Sequence, residues 1–214
     1  VRRAIDSGEK TEVFGDYDVD GITSTCLLSD YLSSKGIPCK AYIPDRSDEG
    51  YGLNCNAIKK LKEEGLKCNL VIVGKDDENV GLPKIINELE IENSVWLYGP
   101  CYDEATIGEM FYNSAVCVSP GNVGLTSIHA LTYGCPVVTH DNFPYQMPEF
   151  EAITPDGTGS FFKMDDVDDM AEKIRFWLEK TPEDREKTRE LAYRTIDEKW
   201  NVHYQINVMK KVFV

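Results

Sequence analysis

The feature that most constrains this chain is a repeated exchange between short apolar runs and longer amphipathic stretches. Residues 11–15, 39–43, 69–74, 94–98, 115–118 and 136–139 read as strands, and helical patterns lie between them at 22–35, 54–64, 83–90, 103–113 and 125–133. A parallel pair of strands needs a crossover, and a helix is its usual form, so this alternation specifies a parallel sheet. The expectation is an α/β fold: a doubly wound, Rossmann-like parallel sheet of about six strands with helices on both faces. Helical patterns at 165–179, 182–199 and 202–212 close the chain at its C-terminal end.

Local punctuation agrees with these elements. Gly36 and Gly65 stand where a C′ glycine ends a helix. Asn54 suits an N-cap, and Pro83 falls in the first turn of its helix. Residues 69–74, NLVIVG, are the strongest strand signal, and an unbroken Leu/Val/Ile run suits a strand buried on both faces. No long linker or low-complexity tract interrupts the pattern, so the 214 residues read as one α/β domain. Ligands of such sheets bind at the carboxyl ends of the strands, where the loops 15–21, 74–80 and 119–124 are expected to gather.

Composition removes several classes of function. The net charge is −14, with −2 on residues 1–68 and −12 on residues 69–214. Phosphate backbones are held by clustered Lys and Arg, so nucleic acid is not an expected partner. No apolar run reaches about 18 residues, so no membrane span is expected. Residues 1–7, VRRAIDS, lack the apolar stretch of a signal peptide. The seven cysteines, Cys26, Cys39, Cys55, Cys68, Cys101, Cys117 and Cys135, are scattered singly without a Cys-x-x-Cys pair. They read as reduced, mostly buried thiols of a cytoplasmic protein, and neither a disulfide frame nor a zinc site is expected.

Residues 14–24, FGDYDVDGITS, place Asp16, Asp18 and Asp20 between a strand and a helix start. Three carboxylates in five residues repel one another unless a cation neutralises them, and hard oxygen ligands suit Mg²⁺ or Mn²⁺. The spacing is similar to part of an EF-hand, but leucine occupies position 27, where the twelfth-position glutamate belongs, and the flanking elements are strand then helix. The alternative is turn chemistry, with one aspartate capping the helix and the others solvated.

Three segments, AIDSGEKTEVFGDYDVDGITST, IPDRSDEGYGLN and AIKKLKEEG, fall within residues 1–66. Together they resemble the start of the DHH-family phosphoesterases, specifically the RecJ-type single-strand exonucleases. The resemblance implies that Asp16, Asp18 and Asp20 belong to a Mn²⁺ or Mg²⁺ site for hydrolysis of a phosphodiester by metal-bound water. Such enzymes continue with a further ligand aspartate and an Asp-His-His signature. Here Lys75 stands about where that aspartate belongs, with Asp76 and Asp77 just beyond it. No Asp-His-His occurs, and His129, His140 and His203 are isolated.

From residue 69 to 178 the text changes. NLVIVGKDDEN, the run from VWLYG through SPGNVGLTSIHA and GCPVVTH to EFEAI, and DGTGSFF resemble the carboxyl-terminal, donor-binding half of a GT-B glycosyltransferase. The resemblance implies that a sugar-nucleotide diphosphate sits at the helix opened by Gly124, Leu125 and Thr126. The family often places two glutamates eight positions apart across this turn, and the matching positions here are Gly121 and His129. His129 then has two readings, a variant that meets the donor's polar groups or a packed core residue. Cys117 and Cys135 read as small core residues. Such enzymes also carry an amino-terminal acceptor domain and a first βα unit of the donor domain, and the phosphoesterase-like segment stands in the place of that unit.

The two resemblances meet near residues 67–70. The expectation is therefore a single α/β domain built from two segments, 1–68 and 69–214, as a recombined or engineered chimera. Neither parental site is complete, so no catalytic residue, obligatory cofactor or partner is assigned. Two alternatives stand beside it. One is a weak divalent-metal-dependent phosphoesterase using Asp16, Asp18 and Asp20; the other is nucleotide-sugar binding at Gly124, Leu125, Thr126 and His129.

Overall fold

A computed structural model describes residues 7, 11–14, 19–37, 39–42, 55–74 and 81–213. The chain divides into two compact units, Val1–Glu49 and Gly50–Val214.

The first unit is a βαβ element. Strand β1 (Thr11–Phe14) and strand β2 (Cys39–Tyr42) pair in parallel, from Thr11 with Cys39 to Phe14 with Tyr42. Helix α1 (Val19–Ser34) connects them and starts three residues before the expected position 22, so Asp20 lies in its first turn. At its end Gly36 takes φ +74°, the Gly36 N–H donates to the Ser33 carbonyl and the Ile37 N–H to the Leu32 carbonyl. That is the paired closure that a C′ glycine provides.

The second unit runs α2 (Cys55–Glu63), β3 (Leu70–Val73), α3 (Leu82–Glu88), β4 (Val95–Gly99), α4 (Glu104–Asn113), β5 (Cys117–Ser119), α5 (Thr126–Thr132), β6 (Val137–His140), β7 (Gly159–Phe162), α6 (Val167–Leu178), α7 (Pro182–Lys199) and α8 (Val202–Phe213). Strands β3 and β4 pair in parallel, and β5, β6 and β7 form a parallel sheet in that order. The α/β class and the parallel pairing hold. The six-strand sheet does not: among the described residues the sheets have two, two and three strands.

Two differences have physical causes. The apolar run of β3 is covered on one face only. Leu70 packs towards the core, whereas Val71 and Val73 are 41% and 43% exposed and Val71 pairs with Trp96, itself 58% exposed. Uniform apolar composition says that a strand can be buried, not which face meets a helix. Strand β7 lies in a Gly-Thr-Gly-Ser stretch with weak strand propensity. It forms because glycine at 159 lets it close on β6: a Cβ there would stand 2.1 Å from the Val137 carbonyl oxygen.

Strand β6 positions the site, because it is buried on both faces. Val138 belongs to a core with Ile58 and Leu61 of α2, Phe162, and Met170, Ile174 and Trp177 of α6. Its neighbour Val137 points into a second core with Val123, Ala130, Leu131, Ile153 and Ala192. Side chains alternate across a strand, so adjacent buried valines require cover on both sides. Inside the first core, Trp177 Nε1–H donates to Ser160 Oγ at 3.0 Å. Helix α2, from the phosphoesterase-like stretch, packs on α6 through this core, with Lys60–Asp168 and Glu64–Arg175 ion pairs at its edge.

All seven cysteines are free. Burial pushes the Cys117 thiol up to about 12 and the Cys135 thiol well above its ordinary value, as suits small core residues. Among the described residues, no helix is long and apolar enough to cross a membrane.

Candidate functional site

The best-defined candidate lies where β5 ends and α5 begins. Val123 is fully buried and anchors the loop. The Gly124 carbonyl accepts the Ser127 N–H at 3.1 Å, so the chain turns into the helix there, and Leu125 already has helical angles (φ −56°, ψ −17°). Leu125 is 74% exposed, so the turn faces outward. Among the described residues, no acceptor takes the N–H groups of Gly124, Leu125 or Thr126. Unused N–H groups at the carboxyl end of a parallel strand can receive an anionic oxygen. Among the described residues, a Cβ at residue 124 would meet only Met147, at 3.7 Å, so the fold itself leaves room there.

The turn is fixed by the segment that follows β6. Ser127 Oγ lies 3.1 Å from the Gly124 carbonyl and 3.0 Å from the Glu149 carbonyl, its single hydrogen shared between them. Gln146 reaches back from the far side of β6 to accept the Val123 N–H at 2.7 Å. One carboxylate oxygen of Glu149 is buried without a partner among the described residues.

His129 lies on α5, three residues after Thr126. It is half-buried, and its Nε2 lies 2.8 Å from Glu104 Oε1, which also accepts the Tyr133 hydroxyl at 2.7 Å. An ionised carboxylate can only accept, so Nε2 carries the hydrogen. The imidazole also meets Phe111 edge-on, with ring centroids 5.1 Å apart. These two hydrogen bonds, Tyr133 first and His129 second, hold the Glu104 carboxyl below the usual range, and Glu104 pushes the Tyr133 phenol up. The cluster ties α5 to the start of α4, where Asp103 caps the helix by accepting the Thr106 N–H at 2.8 Å. Glycine at 108 leaves Tyr133 its place, because a Cβ there would stand 2.5 Å from the ring.

A second histidine, isolated in the sequence, lies at the end of β6. His140 is 2% exposed and accepts the Asn142 N–H on Nδ1 at 3.2 Å. Burial lowers its pKa against the opposing pull of Asp141 and Asp165. The aspartate cluster gives less. Asp16 and Asp18 lie outside the described residues, as do Lys75, Asp76 and Asp77, while Asp20 sits in the first turn of α1. Among the described residues, no group of three or more His, Cys, Asp or Glu assembles to hold a metal.

Residues 46–195 match the family model described as Glycosyl transferases group 1. The match begins before α2, not at residue 69 where the sequence reading placed the change. Helix α2 therefore lies inside the matched region.

A short stretch also matches other proteins. The chain is 43% identical over 63 residues to the single-stranded-DNA-specific exonuclease RecJ of Bacillus subtilis (strain 168), covering 29% of this chain and 8% of that protein. It is 40% identical over 53 residues to RecJ of Thermus thermophilus, covering 25% of this chain and again 8% of that protein. Among solved structures, it is similar to S. aureus TarM at a TM-score of 0.63 and 19% identity, over 79% of this chain and 34% of TarM. It is similar to Anabaena HepE at a TM-score of 0.58 and 12% identity, over 99% of this chain and 74% of HepE. Identities this low speak for the fold alone.

Proposed function

This chain belongs to the glycosyl transferases group 1 family, and from that premise we propose that its Gly50–Val214 unit binds a nucleotide-sugar donor at the Gly124-Leu125-Thr126 turn. The observation that carries the proposal is the placement of that turn. It lies inside the family match, at the carboxyl end of a parallel strand, with three backbone N–H groups that no acceptor takes among the described residues. A diphosphate is the anion that such a turn accommodates. TarM was solved with UDP, and HepE with UDP and glucose, which makes a uridine nucleotide the natural first ligand to test. Transfer of the bound sugar to an acceptor is the reaction that this binding would serve.

The test uses thermal unfolding and calorimetry with UDP and UDP-glucose. Bound ligand should raise the unfolding midpoint with concentration by mass action. Gly124→Ala is the matched variant. Its Cβ would make only an ordinary contact with Met147, so the fold should persist while the approach of phosphate is blocked. No stabilisation at millimolar nucleotide, or equal affinity in Gly124→Ala, would remove the site.

One observation favours a second reading for the N-terminal part. The chain is 43% identical to RecJ over 63 residues. On that ground we propose that residues 1–68 were recombined from a RecJ-type parent, overlapping the start of the family match. Its aspartates, Asp16, Asp18 and Asp20, would retain affinity for Mn²⁺ or Mg²⁺ without phosphodiester hydrolysis. A Mn²⁺ titration by calorimetry, with Asp18→Asn beside it, tests this. Binding lost in the variant supports it, and equal heats in both proteins remove it.

A further inference from the structure

The turn of the proposed donor site is held from outside its own segment by one side chain. Gln146 follows the short helical turn Phe143–Tyr145. Its Oε1 accepts the Val123 N–H at 2.7 Å, and its Nε2 donates to Thr139 Oγ1 at 2.8 Å and to the His140 carbonyl at 2.9 Å. Thr139 passes the connection on, donating its hydroxyl to the Gly121 carbonyl at 3.2 Å. Val123 and Thr139 are both fully buried. One amide therefore fastens two points of the 121–123 loop to the end of β6, immediately before Gly124.

We propose that Gln146 is the positioning residue of the donor site, resting on the nucleotide-sugar reading above. It sets where the N–H groups of Gly124, Leu125 and Thr126 point, without touching the nucleotide. A loop held in its binding geometry loses less freedom when ligand arrives, so affinity depends on the clamp. The position requires one acceptor and two donors on a single planar group, which only an amide of this length provides. A glutamate would keep the acceptor for Val123. Its second oxygen would oppose the His140 carbonyl and draw the Thr139 hydroxyl away from Gly121. Protonating that glutamate would restore one donor.

The experiment measures UDP affinity by calorimetry at pH 7.5 and pH 5 for the wild type, Gln146→Glu and Gln146→Met, with the thermal midpoint of each recorded alongside. Each variant is compared with the wild type at the same pH, which removes the nucleotide's own titration. Gln146→Glu should bind about tenfold more weakly at pH 7.5, as follows from leaving buried polar groups unsatisfied, and should regain affinity at pH 5. Gln146→Met, which fills the space without polar atoms, should lose affinity equally at both pH values. Wild-type binding with undiminished affinity in either variant overturns the clamp and leaves the donor site standing. A loss in Gln146→Glu that does not change with pH also overturns it. If Gln146→Glu unfolds at pH 7.5, Gln146→Met alone decides. If the wild type binds no UDP, the site itself fails and the clamp with it.

Discussion

A methyl group at residue 159 would stand 2.1 Å from the Val137 carbonyl oxygen and 2.7 Å from the Ile153 side chain. Neither neighbour can withdraw, because one is the backbone of β6 and the other is packed in the core. Gly159→Ala should therefore lose ~3 kcal/mol or more of stability, a value that urea unfolding would read as a lower midpoint. Glu104 gives a prediction in pH. Its carboxyl is lowered by the Tyr133 hydroxyl and the His129 Nε2–H. A lowered carboxyl contributes stability above the ordinary glutamate value of about 4.3 and loses it as pH falls through the folded value. Glu104→Gln should thus unfold at a lower temperature than the wild type at pH 7, and the two midpoints should converge towards pH 3. At this scale the sequence was uneven. The helix that follows Gly124 was legible as a local apolar pattern, whereas the donor reading of its turn came from the family resemblance alone. Gln146 was not legible, because its partners lie up to 23 residues away and an amide has no periodic signature.

Helix α2 tests how the two resemblances combine. Its Leu61 is 0% exposed and lies in the core that holds Ile174 and Trp177 of α6. The amphipathic pattern of residues 54–64 revealed the helix and its apolar face, but not the partner of that face. Leu61→Ala should cost about 2–5 kcal/mol, as for other buried leucines. Lys60→Ala removes only a partly exposed ion pair to Asp168, with side chains 34% and 78% exposed, and should cost less than ~1 kcal/mol. Equal, small losses in both variants, measured by chemical unfolding, would mean that α2 is an appendage and not a core helix. Of the elements, β7 was the least legible. It owes its place to the close approach that Gly159 allows, a tertiary event that composition opposes. The open face of β3 has the same origin, since neighbours decide which side of an apolar strand is covered.

At the scale of the whole molecule, a net charge of −14 opposes a ligand that is itself an anion. Residues 69–214, which contain the Gly124 turn, carry −12 of it. Attraction at the turn comes from N–H dipoles, which act over a few ångströms, whereas the repulsion is long-ranged. Salt separates the two, because the Debye length falls from about 30 Å at 0.01 M to about 8 Å at 0.15 M. Added salt should therefore screen the repulsion more than the dipoles. UDP affinity should rise, by a few-fold, between 0.01 M and 0.15 M NaCl when measured by calorimetry. A site built on lysine or arginine would show the opposite slope, since salt weakens a pairing of unlike charges. A fall in affinity with salt would place a cationic side chain at the diphosphate and turn attention to Lys75, outside the described residues. A rise would leave the backbone turn, with its Gln146 clamp, as the anion receptor of an otherwise acidic protein.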